Sequence, residues 1–100
     1  MELKLITLEE YSTISNNGIQ LDCLDSNGWN AYIYEDRLYF CHERWGYVET
    51  YTIRVFEFLS KKNSEKIGLV KTIIKSYGLQ PNMYIVTYLL DAISNASTFI

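Results

Sequence analysis

Trp29-Asn30-Ala31-Tyr32-Ile33-Tyr34-Glu35-Asp36-Arg37-Leu38-Tyr39-Phe40-Cys41-His42 is the stretch whose reading decides the fold. Side chains alternate across a strand, so Trp29, Ala31 and Ile33 share one face while Asn30, Tyr32 and Tyr34 share the other. Glu35-Asp36-Arg37 is a polar turn, and Leu38 to His42 resumes the alternation as the next strand. Two adjacent runs of this kind, rich in Tyr, Ile and Phe, predict antiparallel neighbours in a sheet.

Working outward, Ile19 to Leu24 alternates as a half-buried strand, and Asp25-Ser26-Asn27-Gly28 supplies turn chemistry before Trp29. After a polar turn at Glu43 to Gly46, Tyr47 to Phe58 predicts a longer strand; its end from Arg54 to Lys62 is open to a helical reading. At the N-terminus Leu3 and Leu5 alternate with Glu2 and Lys4 in a short strand. Thr7 and Glu10 then form a capping box, with Ile6 and Tyr11 placed as a hydrophobic staple. A helix from Leu8 to about Ser15 follows, closed by Asn16, Asn17 and Gly18, residues that tolerate positive φ.

Beyond the strands, Ile67, Val70, Ile73, Ile74 and Tyr77 recur at helical spacing within Lys61–Gly78, with Gly78 at the C-terminal cap. Pro81 suits the first position of a second helix running to Ser94 or Ala96. Met83 to Leu90 has strand-like propensity, and an edge strand there is the alternative. The expected fold is therefore α+β: an antiparallel sheet of four to five strands, a short N-terminal helix, and two C-terminal helices packed on one face. Trp29, Ile33, Leu38 and Phe40 are the expected core beneath those helices, in a single domain spanning residues 1–100. Phe99 and Ile100 are expected to pack on that core or on a second copy.

One hundred residues, 48% of them hydrophobic and only one a proline, exclude a disordered chain and any barrel of eight βα units. The longest apolar run, Met83 to Leu90, is too short to span a bilayer, and no secretory signal pattern is visible; a cytoplasmic protein is expected. Residues 1–60 hold four basic and ten acidic residues, a net of −6, whereas residues 61–100 hold five lysines against Glu65 and Asp91, a net of +3. An acidic body repels phosphate backbones, which argues against a general nucleic-acid binder.

Chemistry-bearing residues are few. His42 is the sole histidine, flanked by Cys41, Glu43 and Arg44. Adjacent strand residues point apart, so Cys41 and His42 are not expected to meet as a thiolate pair. With the Trp29 strand between them, Cys23 and Cys41 are expected too far apart for a disulfide. Cys23, Cys41 and His42 match no zinc-ligand spacing, and no metal or cofactor is expected. No phosphate-binding glycine loop, nucleophile elbow or zinc-protease motif occurs.

Aromatic residues stand furthest from background: ten of fifteen lie between residues 29 and 58. If Trp29, Ile33, Leu38 and Phe40 face the helices, then Tyr32, Tyr34, Tyr39 and either Tyr47 or Tyr51 face outward, with Trp45 beside them and Glu35 and Asp36 adding acid. Such a surface has the composition of a protein interface. The competing reading is a two-sided core in which the N-terminal helix or a long loop covers those tyrosines. The expected function is a non-enzymatic protein-binding module using this acidic, tyrosine-rich face on a basic partner, such as an inhibitor, immunity or anti-defence protein of a phage, virus or other mobile element. Alternatives are a small hydrolase or nuclease-like enzyme using His42, Glu43 and Arg44, a single-stranded nucleic-acid binder on the aromatic sheet, and a homodimeric structural protein. For the nucleic-acid reading, Arg44 to Tyr51 is similar to the basic–glycine–aromatic strand of RNA-recognition domains, with its glycine and last aromatic out of register.

Overall fold

The computed structural model describes residues 2–21 and 29–98. Five strands form one antiparallel sheet: β1 (Glu2–Ile6), β2 (Ile19–Gln20), β3 (Trp29–Tyr34), β4 (Arg37–Glu43) and β5 (Val48–Arg54). Their spatial order is β1-β5-β4-β3-β2. Strands β2 to β5 make a meander, and β1 returns to pair with the last of them. The helices are α1 (Leu8–Asn17), α2 (Val55–Leu59), α3 (Asn63–Ser76) and α4 (Met83–Ser97). The architecture is α+β, with helices on both faces of the sheet.

Strand order explains the layering. β1 and β2 lie at opposite edges, so the connection between them must cross the sheet, and α1 is that crossing. Its start is fixed as the sequence predicts. The Glu10 amide donates to Thr7 Oγ1 at 3.0 Å, and the Thr7 amide donates to Glu10 Oε1 at 3.2 Å. Its end is not. Asn16 and Asn17 are helical, and Gly18 has φ −85°, ordinary extended backbone. Glycine is required there for space: a Cβ would lie 2.6 Å from the Ile14 carbonyl oxygen and 2.8 Å from that of Ile33. The positive φ expected at this helix end is thus corrected to a close approach between α1 and β3.

On the other face, α3 and α4 cover the expected core. Ile33, Leu38 and Phe40 pack with Val70, Ile73, Ile74, Val86, Leu89 and Ile93, all essentially removed from water. Gly78 takes φ 79° after α3, as a C-terminal glycine should. Two boundaries differ from expectation. The open stretch after Arg54 turns helical at Val55, so β5 is shorter than Tyr47–Phe58. The second C-terminal helix starts after Pro81, because the Asn82 side chain caps it by accepting from the Ile85 amide at 3.0 Å. Met83 to Leu90 is helix; tertiary packing of Val86 and Leu89 overrides the local strand propensity.

Among the described residues, no helix is long and apolar enough to cross a membrane. Asp25–Gly28, Cys23, Phe99 and Ile100 lie outside the described residues.

Candidate interaction surface

The tyrosines expected on an open face lie beneath α1. Tyr32 is 7% exposed and belongs to a small cluster with Ile6, Ile14, Cys41 and Val48, against which Tyr11, Tyr34 and Tyr39 pack half-buried. Tyr11 of α1 meets the Tyr32 ring edge-on at 6.0 Å between centroids, and Asn30 Nδ2 donates to the Tyr11 hydroxyl at 3.4 Å. Desolvation, assisted by Tyr32 and the charge of Glu43, pushes the Tyr11 phenol above its ordinary pKa. Burial also raises Tyr39. The outward-facing assignment of Tyr32 is therefore corrected: the α1 crossing takes up the face on which it points. The same cover removes the bare aromatic platform that stacking of single-stranded bases requires.

The remaining expected binding residues separate along β4. Glu35 and Asp36 occupy the β3–β4 turn, where Glu35 has φ 55° and Asp36 accepts from Arg54 at 2.7 and 3.0 Å. That ion pair holds the Asp36 carboxyl below its usual pKa, the hydrogen bond from Arg54 being the main cause. Trp45 and Tyr47 stand at the opposite end of the strand, about 20 Å away at the usual rise per residue. No single patch contains both groups.

The hairpin tip between β4 and β5 is where apolar surface is left in water. The Arg44 amide donates to the Tyr47 carbonyl at 2.9 Å, closing a tight turn whose positive φ of 83° falls on Gly46. This projects Trp45 into solvent, 99% exposed, with Tyr47 at 40%. Leu8, the first residue of α1, is also exposed and joins Glu43, Arg44, Trp45 and Gly46 around a shallow hollow of about 530 Å³. Arg44 pairs with Glu49 at 3.5 Å, which leaves Glu43 and the neighbours of Leu8, Glu9 and Glu10, to set the local charge. Trp45 and Tyr47 are among the binding residues expected from the sequence; Leu8 carries no such signal, because its place at the hollow follows from α1 starting beside the hairpin.

The alternative catalytic trio is split. His42 sits across from Glu49 on β5, whereas Glu43 points to the other face, close enough to Tyr11 to act on its titration. The acid grouped with His42 and Arg44 is therefore Glu49, a residue that adjacency in sequence does not identify. The His42 ring stacks on Trp29 at 4.5 Å with 14° between planes, and Trp29 stacks in turn on Tyr77 at 4.7 Å. The His42 Nδ1 is buried without a hydrogen-bond partner among the described residues. Cys41 is fully buried on the opposite face of the sheet. Thr50 Oγ1 donates to the Cys41 Sγ at 3.4 Å, and burial pushes the thiol up to about 11. Such a thiol is inert at neutral pH. No group of three or more His, Cys, Asp or Glu residues suited to a metal occurs among the described residues.

Comparison with known proteins finds no matching family model, no matching curated protein and no matching solved structure.

Proposed function

We propose that the chain is a non-enzymatic protein-binding module whose contact surface is the β4–β5 hairpin tip rather than the tyrosine face of the sheet. The observation that carries this reading is Trp45, a large side chain left 99% exposed at a tight turn. Tryptophan is among the residues that most often dominate binding energy when an interface covers them. Tyr47 and Leu8 widen the apolar contact, and Glu43 with the nearby Glu9 and Glu10 gives it an acidic rim. The complementary partner is a protein with a basic surface surrounding an apolar pocket. A small domain that plugs such a surface acts as an inhibitor or immunity-type protein, the class expected from size and charge.

Affinity capture from the native lysate, followed by reconstitution with the purified partner, tests the proposal. Trp45→Ala is expected to weaken the reconstituted complex at least tenfold. Added salt is expected to weaken it further, and Glu43→Lys to reduce that salt response. His42→Ala is expected to leave binding unchanged. A complex indifferent to Trp45→Ala overturns the reading. A substrate turned over by the wild-type chain and not by a folded His42→Ala variant would establish the enzymatic alternative.

A further inference from the structure

The sheet has two unlike edges. β2 is two residues long, whereas β1 is five residues long and, among the described residues, is hydrogen-bonded on one side only, to β5. Glu2, Leu3, Lys4 and Leu5 of β1 are all exposed, Leu3 at 56% and Leu5 at 65%. Leu3 lies across from Tyr51 and Leu5 across from Glu49, which puts both leucines on the α3/α4 face but beyond the reach of those helices. The edge therefore offers unpaired backbone groups together with uncovered apolar side chains. Such an edge invites a further strand.

We infer that the strand it accepts is β1 of a second copy, paired antiparallel about a two-fold axis through Leu3. A two-fold axis relating antiparallel neighbours stands perpendicular to the sheet, so residues facing each other across the seam share a face. Two registers keep most of the strand paired. With Lys4 on the axis, two ammonium groups face each other. With Leu3 on the axis, Glu2 of each copy faces Lys4 of the other, twice over, while Leu3 meets Leu3 on the opposite side of the sheet. Opposite charges directly across a strand pair stabilise it, and like charges oppose it. The spacing of Glu2 and Lys4 thus makes β1 complementary to itself in one register, and the two sheets join into ten strands. An unrelated strand lacking that pattern leaves Lys4 unpaired, so the same residue discourages other partners. A seam this short is modest in area, and association in the micromolar range is expected. It is independent of the hairpin tip, which lies beyond the other end of β1.

Sedimentation over rising protein concentration tests the inference. The wild-type mass is expected to move from 11.7 kDa toward twice that value. Glu2→Lys and Lys4→Glu are each expected to weaken self-association about tenfold, because both symmetry-related pairs become repulsive. Mixing the two variants restores opposite charge at both positions and is expected to recover the dimer as a heterodimer, a result that misfolded variants cannot give. Under mild oxidation Leu3→Cys is expected to form a reducible dimer, with the unsubstituted chain as the blank. A wild-type chain that stays monomeric at millimolar concentration overturns the inference. So does a dimer that ignores both charge reversals, or one cross-linked through Lys4→Cys and not through Leu3→Cys. Trp45→Ala is expected to leave the dimer intact, which separates this outcome from failure of the hairpin-tip reading.

Discussion

The two faces of the sheet are buried by different means. Under α3 and α4 lies a wide apolar layer of Ile, Leu, Val and Phe, much of it with no exposed surface. Under α1 the cover is one helix of ten residues, and the buried set is smaller and partly polar. Tyr32, Cys41, Thr50 and Thr52 are all buried there. Each of the last three is joined by a hydrogen bond: Thr50 to Cys41, and Thr52 by accepting from Arg37 at 3.2 Å. A face of alternating Tyr, Thr and Cys is polar enough to look solvent-exposed in sequence. It is apolar enough to be sealed when a helix is led across it. Buried tyrosine and threonine are therefore not a reliable sign of an outer surface in a five-stranded sheet whose first strand is at the far edge.

The largest effect expected to sharpen this contrast is truncation on the thicker side. Phe40→Ala removes a fully buried ring beneath α3 and α4 and is expected to cost about 3–5 kcal/mol of unfolding free energy in urea titration. Tyr32→Ala, its counterpart beneath α1, is expected to cost less, since its ring is part of a thinner layer that relaxes more easily. Equal costs would remove the distinction between the faces. A smaller effect belongs to the seam between α1 and β3. Gly18→Ala forces a methyl against two backbone carbonyls and is expected to destabilise by about 1–3 kcal/mol, with amide exchange rising first in Leu8–Asn17. Unchanged exchange in α1 would show that the close approach is not needed.

The smallest effect at neutral pH comes from Cys41. Its folded-state pKa is raised to about 11, above the ordinary value of 9.0, so the protonated thiol favours the folded chain. That contribution is fully present below pH 9 and is lost as pH rises toward 11. Stability should therefore fall in this alkaline window, and Cys41 should resist alkylation at pH 8 until the chain is unfolded. Rapid labelling of Cys41 in the folded chain would mean that α1 does not seal its face.

Much of the local structure was legible because it rests on near neighbours. The capping box at Thr7 and Glu10, the alternation along Trp29–His42, the glycine after α3 and the apolar stripe of that helix all involve residues within a few positions of one another. The same alternation also separated Cys41 from His42 correctly. What it could not supply was Glu49 as the acid facing His42, because that pairing depends on register between two strands. The candidate surface divided likewise. Trp45 and Tyr47 stood out as aromatics beside a turn glycine, but their partnership with Leu8 needed the start of α1 to be placed in space.

The amino-acid sequence by itself determined which side chains share a strand face, where α1 begins and where α3 ends, since those are consequences of backbone geometry over short distances. Only the tertiary structure decided that the face carrying Tyr32 is covered. That outcome follows from β1 pairing with β5 at one edge while β2 takes the other, a long-range choice that forces the intervening helix across the sheet.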